Sequence, residues 1–330
     1  MARLKPPYAL MEAISVAKIP QGDHWQYEPK WDGFRCLAFR DGDSVELQSK
    51  SQKMLSAFFP EVVKALRAPK ATIFVLDGEL VIPVNGVLSF DHLLIRLSRS
   101  HSGTRVQAAE YPAVFFVFDL LADADGAALT GEPLRIRRSR LEEFAEKHLD
   151  SAKGTIQLSP FTTDIDVAHR WLELAGSSLD GVVAKRTDVS YEPGISRLMQ
   201  KIKKVRTVDC VVGGVIIKSD TVSHLLLGLY DDEGLLNFVG SAPLRHLDGK
   251  KLAGQIDKLI EAPGFTGKKP GEVKTQFGHR MGEWQPLKPQ LVAEVQFDHF
   301  TGGRFRHGAK FLRWRPDKSA EACKRTELHS

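Results

Sequence analysis

The stretch YEPKWDGFRC (residues 27–36) places Lys30 between a proline and a tryptophan and follows it with Asp32, Gly33 and Arg35. A lysine amine is a nucleophile only when deprotonated, and a free lysine with a pKa near ~10.4 is almost wholly protonated at neutral pH. Desolvation or neighbouring cations lower that value and expose the lone pair. Arg35 supplies one such cation, and the run KIKK (201–204) adds others if the fold brings it near. Read alone, the stretch is also compatible with a solvated lysine ahead of the turn that Asp32-Gly33 signals.

Two further pairs put carboxylates beside glycines between apolar runs: Asp77-Gly78-Glu79 and Asp180-Gly181. One reading is a tight turn between two strands at each. The other is a pair of acids at a sheet rim, binding a divalent cation or the hydroxyls of a ribose. Phe118 in FFVFDLL is either core or a platform for a purine base. Lys201 and Lys203 are two residues apart, so on a strand they project to one side and can hold a phosphate between them; on a solvated face they do nothing. Near the end, RFRHGAKFLRWRPDK gathers Arg304, Arg306, Lys310, Arg313, Arg315 and Lys318 among aromatic residues, a pattern suited to nucleic acid.

These residues need a scaffold. The 330-residue chain is 42% apolar and 26% charged, as in ordinary soluble proteins, and its length predicts two domains. The net charge of +5 is a mild excess that favours phosphate-bearing partners only weakly. Three distant cysteines, Cys36, Cys210 and Cys323, lack metal-ligand spacing and do not form a disulfide framework. The start lacks the apolar run of a signal peptide, and no window is long and apolar enough to span a membrane; a soluble, cytoplasmic protein is expected. From residue 27 to 122 the pattern is mostly strands: SVELQSK, then ATIFVLDGELVIPVNG as strand, turn at Asp77-Gly78, strand, then YPAVFFVFDLL buried on both faces. Helices are predicted at SFDHLLIRLS (stripe Leu93, Ile95, Leu97), PLRIRRSRLEEFAEKHL (Leu141, Phe144, Leu149) and TDIDVAHRWLELAG (Val167, Trp171, Leu174). Beyond a boundary near 205 come short strands with Gly-rich turns and one inserted helix, LDGKKLAGQIDKLIEA, which suits a small closed barrel such as an OB-fold.

Taken in order, EPKWDGFR, LDGEL (76–80), FVFDL (116–120), LDGVVAK (179–185), MQKIK (199–203) and RWRPDK (313–318) resemble the six motifs of the ATP-dependent DNA ligases, within the covalent nucleotidyltransferases that also include RNA ligases and capping enzymes. The segments FDHLLIRL, RTVDCVVGG, LLLGLYDDEGLL and RFRHGAKFLRWRPDK are similar to the small bacterial repair ligases called ligase C and, after them, to the ligase domain of ligase D. The resemblance implies an α+β fold: an adenylyltransferase domain of antiparallel sheets with flanking helices (1–205), followed by a C-terminal OB-fold β-barrel (206–330). It implies ATP as co-substrate and Mg²⁺ or Mn²⁺ as cofactor. The substrate would be nicked double-stranded DNA sealed in repair and recombination, by a monomer working with other repair proteins and not with membranes. RNA ligase or GTP-using capping activity is the alternative within the superfamily, and a catalytically silent nucleic-acid-binding protein the alternative outside it.

Carried position by position, the resemblance makes Lys30 the nucleotidyl-lysine, with Asp32 and Arg35 as its catalytic partners. Phe118 would stack on adenine, the backbone near Glu28 would read the base edge, and Arg35 and Glu79 would hold the ribose or the nick. Asp180, with Glu79, would bind the metal. Lys185 joins the nucleotide-binding set, Lys201 and Lys203 would contact the α-phosphate, and Arg315, Asp317 and Lys318 would reach the pyrophosphate side when the second domain closes about a hinge at 203–208. The chain departs from the family pattern at Asp180 (usually Glu), Met199 (often Trp) and Lys50 (often Arg, whose bidentate fork lysine lacks). No counterpart of the N-terminal DNA-binding domain of larger ligases is visible, so a two-domain, salt-sensitive grip on DNA is expected.

Overall fold

The computed structural model describes residues 3–98, 101–149, 154–176, 179–271, 283–306 and 308–329. The chain divides into two compact units, Met1–Lys204 and Val205–Ser330.

The first unit contains strands β1 (Met11–Ser15), β2 (Trp25–Trp31), β3 (Phe34–Asp41), β4 (Ser44–Ser49), β5 (Ile73–Val81), the short pair β6 (Pro83–Val84) and β7 (Val87–Leu88), β8 (Val114–Ala122), β9 (Ile156–Leu158), β10 (Leu179–Arg186) and β11 (Gly194–Lys203). Its helices are α1 (Pro60–Arg67), α2 (Phe90–Ser98), α3 (His101–Glu110), α4 (Leu134–His148) and α5 (Ile165–Glu173). Two sheets result, in the orders β1-β11-β10-β2 and β4-β3-β5-β8-β9. Their facing sides share a core of Met11, Leu37, Phe39, Val75, Leu121, Tyr191 and Met199. The outer face of the first sheet packs Tyr27, Val182, Ala184 and Ile202 under α5. The outer face of the second sheet buries Ala38, Leu76, Phe115 and Val117 with α1, α2 and α4 through Val62, Leu66, Leu93, Leu141 and Phe144. The alternation of strand residues between these cores fixes which side chains are left facing the space between the sheets.

Several sequence expectations are corrected here. Neither Asp77-Gly78 nor Asp180-Gly181 is a turn; both lie inside continuous strands, β5 and β10. The glycines serve close approach instead. A Cβ on Gly78 would stand 2.4 Å from the Phe116 carbonyl oxygen, and one on Gly181 would stand 2.0 Å from that of Ile202. Gly181 also has φ +143°, which excludes side chains on backbone grounds. On α2 the second buried residue is Arg96, while Leu97 is exposed. Arg96 reaches Glu61 (2.7 Å) and the Tyr111 carbonyl (2.6 Å), so a buried guanidinium bonded through both terminal nitrogens takes the place an apolar stripe would fill. On α5 the inward residues are Ile165, Ala168, Trp171 and Leu172, and Leu174 is 70% exposed, because the helix ends at Glu173 and Leu174 lies past its last turn.

The second unit contains β12 (Arg206–Lys218), β13 (Thr221–Tyr230), β14 (Leu236–Pro243), α6 (His246–Ile256), β15 (Gln285–Pro286), β16 (Val292–Phe297), β17 (Phe300–Thr301), β18 (Arg304–Phe305) and β19 (Lys310–Trp314). The antiparallel path is β14-β13-β12-β16-β19, with β15 pairing β12. A hydrogen bond from the Ala309 amide to the Ser241 carbonyl (2.8 Å) brings the chain entering β19 back to β14. Five antiparallel strands with a helix after the third follow the OB-type arrangement expected from the sequence. The Gly213-Gly214 pair is not in a turn: it lies within β12, where Phe265 and Trp284 cover the two glycines at 2.7 and 2.6 Å from the Cβ positions.

Candidate active site of the first unit

The chain crosses from one sheet to the other at Asp32-Gly33, between β2 and β3. A Cβ on Gly33 would stand 2.2 Å from the Leu80 carbonyl oxygen, so the crossing presses against β5 and only glycine allows it. The turn signal in the sequence therefore marks the one place where Lys30, on the first sheet, and Arg35, on the second, are delivered to the same space. That space is an open cleft, lined among others by Glu12, Glu28, Lys30, Trp31, Arg35, Lys50, Glu79, Phe118, Lys185 and Lys201. Five cations and three carboxylates line it, a balance that attracts phosphate.

Register explains the first-sheet half of the site. Across β2, β10 and β11, Lys30 lies opposite Gly181 and Gly181 opposite Lys203; in the next row Glu28, Val183 and Lys201 align, and then Gln26, Lys185 and Met199. All these residues face the second sheet. The β2–β10 pairing skips Asp180, which is the extra residue of a bulge between Leu179 and Gly181. Bulges re-aim side chains, and this one lets the Asp180 carboxylate pair with both lysines flanking Gly181. Its Oδ2 accepts a hydrogen bond from Lys30 Nζ and lies 3.2 Å from Lys203 Nζ. One row away, Lys185 Nζ donates to Glu28 Oε2 (2.6 Å) and Gln26 Nε2 to Glu28 Oε1 (2.8 Å), all three side chains being buried.

The second-sheet half follows the same logic. Arg35 lies opposite Glu79, and Leu37 opposite Asp77, so Arg35, Asp77 and Glu79 share one face. Asp77 is fully buried and accepts from Arg35 Nε (2.6 Å), Arg35 Nη2 (2.7 Å) and the Tyr191 hydroxyl (2.7 Å). Asp77 and Gly78 pair with Asp119 and Val117, which leaves Phe118 as the extra residue of a second bulge. Phe118 thus turns into the cleft, with the Arg35 guanidinium 4.6 Å and Lys185 Nζ 4.1 Å from its ring centroid. The first such bulge carries the acid and the second the aromatic residue. Beside Lys30, Trp31 stacks on Phe116 at 4.0 Å with a 6° interplanar angle.

The electrostatics are uneven. Burial in the cleft pushes the Glu79 carboxyl up to about 7; Lys30 and Arg35 oppose the rise, and Asp77 and Asp32 add to it. Burial alone would weaken the charge on Arg35, but the Asp77 carboxylate outweighs it and holds the guanidinium more firmly protonated than usual. Lys185 is lowered by burial, despite Glu28 and Asp119. Lys201 is lowered by burial and then by Lys50, Lys30 and Lys203.

Within the first unit, the sequence-derived residues are thus brought together. Lys30, Arg35, Glu28, Glu79, Phe118, Lys185 and Lys201 line the cleft, Asp180 and Lys203 join it through Lys30, and Asp32 sits at the crossing. Arg315 and Lys318 belong to the second unit, where Arg315 pairs with Asp209 and Asp317 and Lys318 with Asp209 and Glu327. Sequence reasoning did not foresee Gln26, Glu12 or Tyr191. Tyr191 carries no local signal, since it meets Asp77 from 114 positions away.

With this geometry in place, comparison with known proteins is direct. Residues 9–203 match the ATP dependent DNA ligase domain and residues 218–318 the ATP dependent DNA ligase C terminal region. The chain belongs to the ATP-dependent DNA ligases. This ligase is 39% identical to DNA ligase C2 of Mycolicibacterium smegmatis, over 98% of the chain and 95% of that protein. It is 38% identical to DNA ligase C of Mycobacterium tuberculosis, over 98% and 94%. Among solved structures it resembles a mycobacterial DNA ligase D complexed with ATP and MES, at 26% identity and a TM-score of 0.51, covering 96% of the chain and 97% of that one. The ligase is therefore an ATP-using enzyme with an α+β nucleotidyltransferase fold followed by an OB-fold. Among the described residues no helix is long and apolar enough to cross a membrane.

Proposed function

We propose that the cleft between the two sheets transfers AMP from ATP to the 5′-phosphate of nicked duplex DNA, in repair and recombination, with Lys30 as the covalent carrier. Lys30 Nζ attacks the α-phosphate, a P–N bond forms, and the bond to pyrophosphate breaks. AMP then passes from Lys30 to the 5′-phosphate at the nick, breaking the P–N bond and restoring the amine. The adjacent 3′-hydroxyl attacks the activated phosphate, a phosphodiester forms and AMP leaves. Such transfers depend on positioning and charge neutralisation more than on covalent participation by further groups.

The observation that carries this reading is the triad Lys30–Asp180–Lys203, with Lys201 in the adjoining row. Asp180 Oδ2 orients the amine and stands where its proton must go before attack. Lys201 and Lys203 face the same space and meet the α-phosphate. Phe118 provides the surface for adenine, Glu28 and Lys185 form its floor, and Arg35, locked by Asp77, contacts the ribose or the nick. Asp180 and Glu79 would hold Mg²⁺ or Mn²⁺, whose role when bound is to neutralise phosphate charge. Their donor chemistry suits a hard cation: both offer carboxylate oxygens, Asp180 now paired with lysine ammonium groups and Glu79 pushed up to about 7, so that Glu79 would have to give up a proton to hold it. Arg315, Asp317 and Lys318 of the second unit serve the pyrophosphate side. The enzyme works as a monomer in the cytoplasm, associated with the nucleoid.

The test is incubation with α-labelled ATP and a divalent metal, followed by a denaturing gel and then by a nicked duplex. Wild type takes up an acid-labile label and seals DNA, and Lys30→Ala takes up none. Label persisting in Lys30→Ala, labelling by GTP in preference to ATP, or sealing confined to RNA would overturn the reading.

A further inference from the structure

The second unit holds an ion-pair cluster that the resemblance does not account for. Asp209 lies on β12 opposite Glu294 of β16, and Glu294 lies opposite Arg313 of β19, so the three occupy one row across the sheet. Arg313 Nε donates to Glu294 (2.7 Å). Arg315, two residues further on, reaches past this row to Asp209, donating from Nη1 to Oδ1 (3.0 Å) and Oδ2 (2.8 Å). Its other edge is held by Asp317, through Nε (2.9 Å) and Nη2 (2.8 Å). Lys318 Nζ donates to Asp209 Oδ2 (3.1 Å) and to both oxygens of Glu327 (2.7 and 2.9 Å). Asp209 is buried while Asp317 is exposed. The two cations are therefore oriented from beneath by a carboxylate on a central strand and from the side by Glu327.

We propose that Asp209, with Glu327, is a positioning residue for the ATP-consuming step: it holds Arg315 and Lys318 in the orientation in which they meet the pyrophosphate side of the nucleotide. This rests on the assignment of Arg315 and Lys318 to that side. Both cations end long side chains, and orienting them in advance spares the ordering cost that binding would otherwise carry. Among the described residues Asp209 is a carboxylate that contacts both cations, so its removal loosens the two together and leaves Arg315 to Asp317 and Lys318 to Glu327. The step that follows nucleotide transfer does not use pyrophosphate and is indifferent to the clamp.

The test uses the full chain with Asp209→Asn, which keeps shape and one acceptor oxygen, Asp209→Glu, which keeps the charge, and Arg315→Ala/Lys318→Ala. Self-adenylylation is measured against ATP concentration, and sealing is measured separately on a nick already carrying AMP. Asp209→Asn lowers kcat/KM for adenylylation by roughly 10- to 100-fold, the scale of a misplaced binding group, and leaves sealing of the adenylylated nick within about twofold. Asp209→Glu recovers part of the loss. In the Arg315→Ala/Lys318→Ala background Asp209→Asn adds nothing, because its effect passes through those cations. Equal losses in both steps, or additive losses in that background, would show a structural role and overturn the proposal. Normal adenylylation by Asp209→Asn, with Arg315→Ala/Lys318→Ala impaired, overturns it alone; normal adenylylation by the double variant overturns the underlying assignment.

Discussion

Glu79 is the residue whose environment yields the sharpest quantitative expectation. Its carboxyl is pushed from 4.5 to about 7, first by burial, against the pull of Lys30 and Arg35. At ~1.4 kcal/mol per pH unit this corresponds to about 3 kcal/mol between protonation states, reduced to about 1–3 kcal/mol because the cleft opens to solvent and screens the charge. For an acid whose folded pKa is raised, the folded state binds the extra proton, so stability is full below 4.5 and is lost as pH rises towards about 7. Glu79→Gln cannot ionise and does not suffer this loss. Calorimetric melting of wild type and Glu79→Gln, freed of AMP with pyrophosphate and held in chelator, should give similar midpoints near pH 4.5 and a widening advantage for the variant up to pH 8. With about 2–4 °C per kcal/mol for a domain of this size, the advantage should reach roughly 2–12 °C in the first unit. Parallel curves across that range, or a wild type that gains on the variant at high pH, would mean that Lys30 and Arg35 outweigh burial and would refute the reasoning.

Other expectations follow from the same geometry. Gly181→Ala places a methyl 2.0 Å from the Ile202 carbonyl at a φ of +143° and should destabilise the first unit by about 3 kcal/mol or more, read as a drop in soluble yield and in melting temperature. Tyr191→Phe removes one of three donors to buried Asp77 and should cost about 1–2 kcal/mol in urea unfolding, with Arg35 still in place. Phe118→Leu should raise KM for ATP by about tenfold in the adenylylation assay, the scale of one base–aromatic stack. An unchanged KM would remove Phe118 from the nucleotide surface.

Much of this enzyme was legible in its sequence, and the limit falls at a definite place. Lys30, Glu79, Phe118, Asp180, Lys201 and Lys203 can all be singled out from type and order, because the chemistry proposed for them constrains which residues stand in short motifs, and the fold gathers them around one cleft. Many strands and helices were legible too, since strand alternation and helix spacing are local properties, while the α+β class came from the order of the motifs. What local pattern could not reveal was how the motifs are aimed. Asp77-Gly78 and Asp180-Gly181 have the composition of turns, and only packing against Phe116 and Ile202 shows that they are strand interiors where a second backbone comes too close for a side chain. Helix α3 carries no apolar stripe, with Val106 63% exposed, and its end is tied by Arg96 to the Gln107 and Tyr111 carbonyls.

The sequence by itself determined the motif residues and the order in which the chain presents them. The tertiary structure alone decided that Lys30 and Arg35 meet across the Asp32-Gly33 crossing, that two bulges turn Asp180 and Phe118 into the cleft, and that Asp209 holds Arg315 and Lys318. The physical reason is that a bulge and a register are relations between strands far apart in the chain. Pairing partners set them, and a single strand carries no record of its partner.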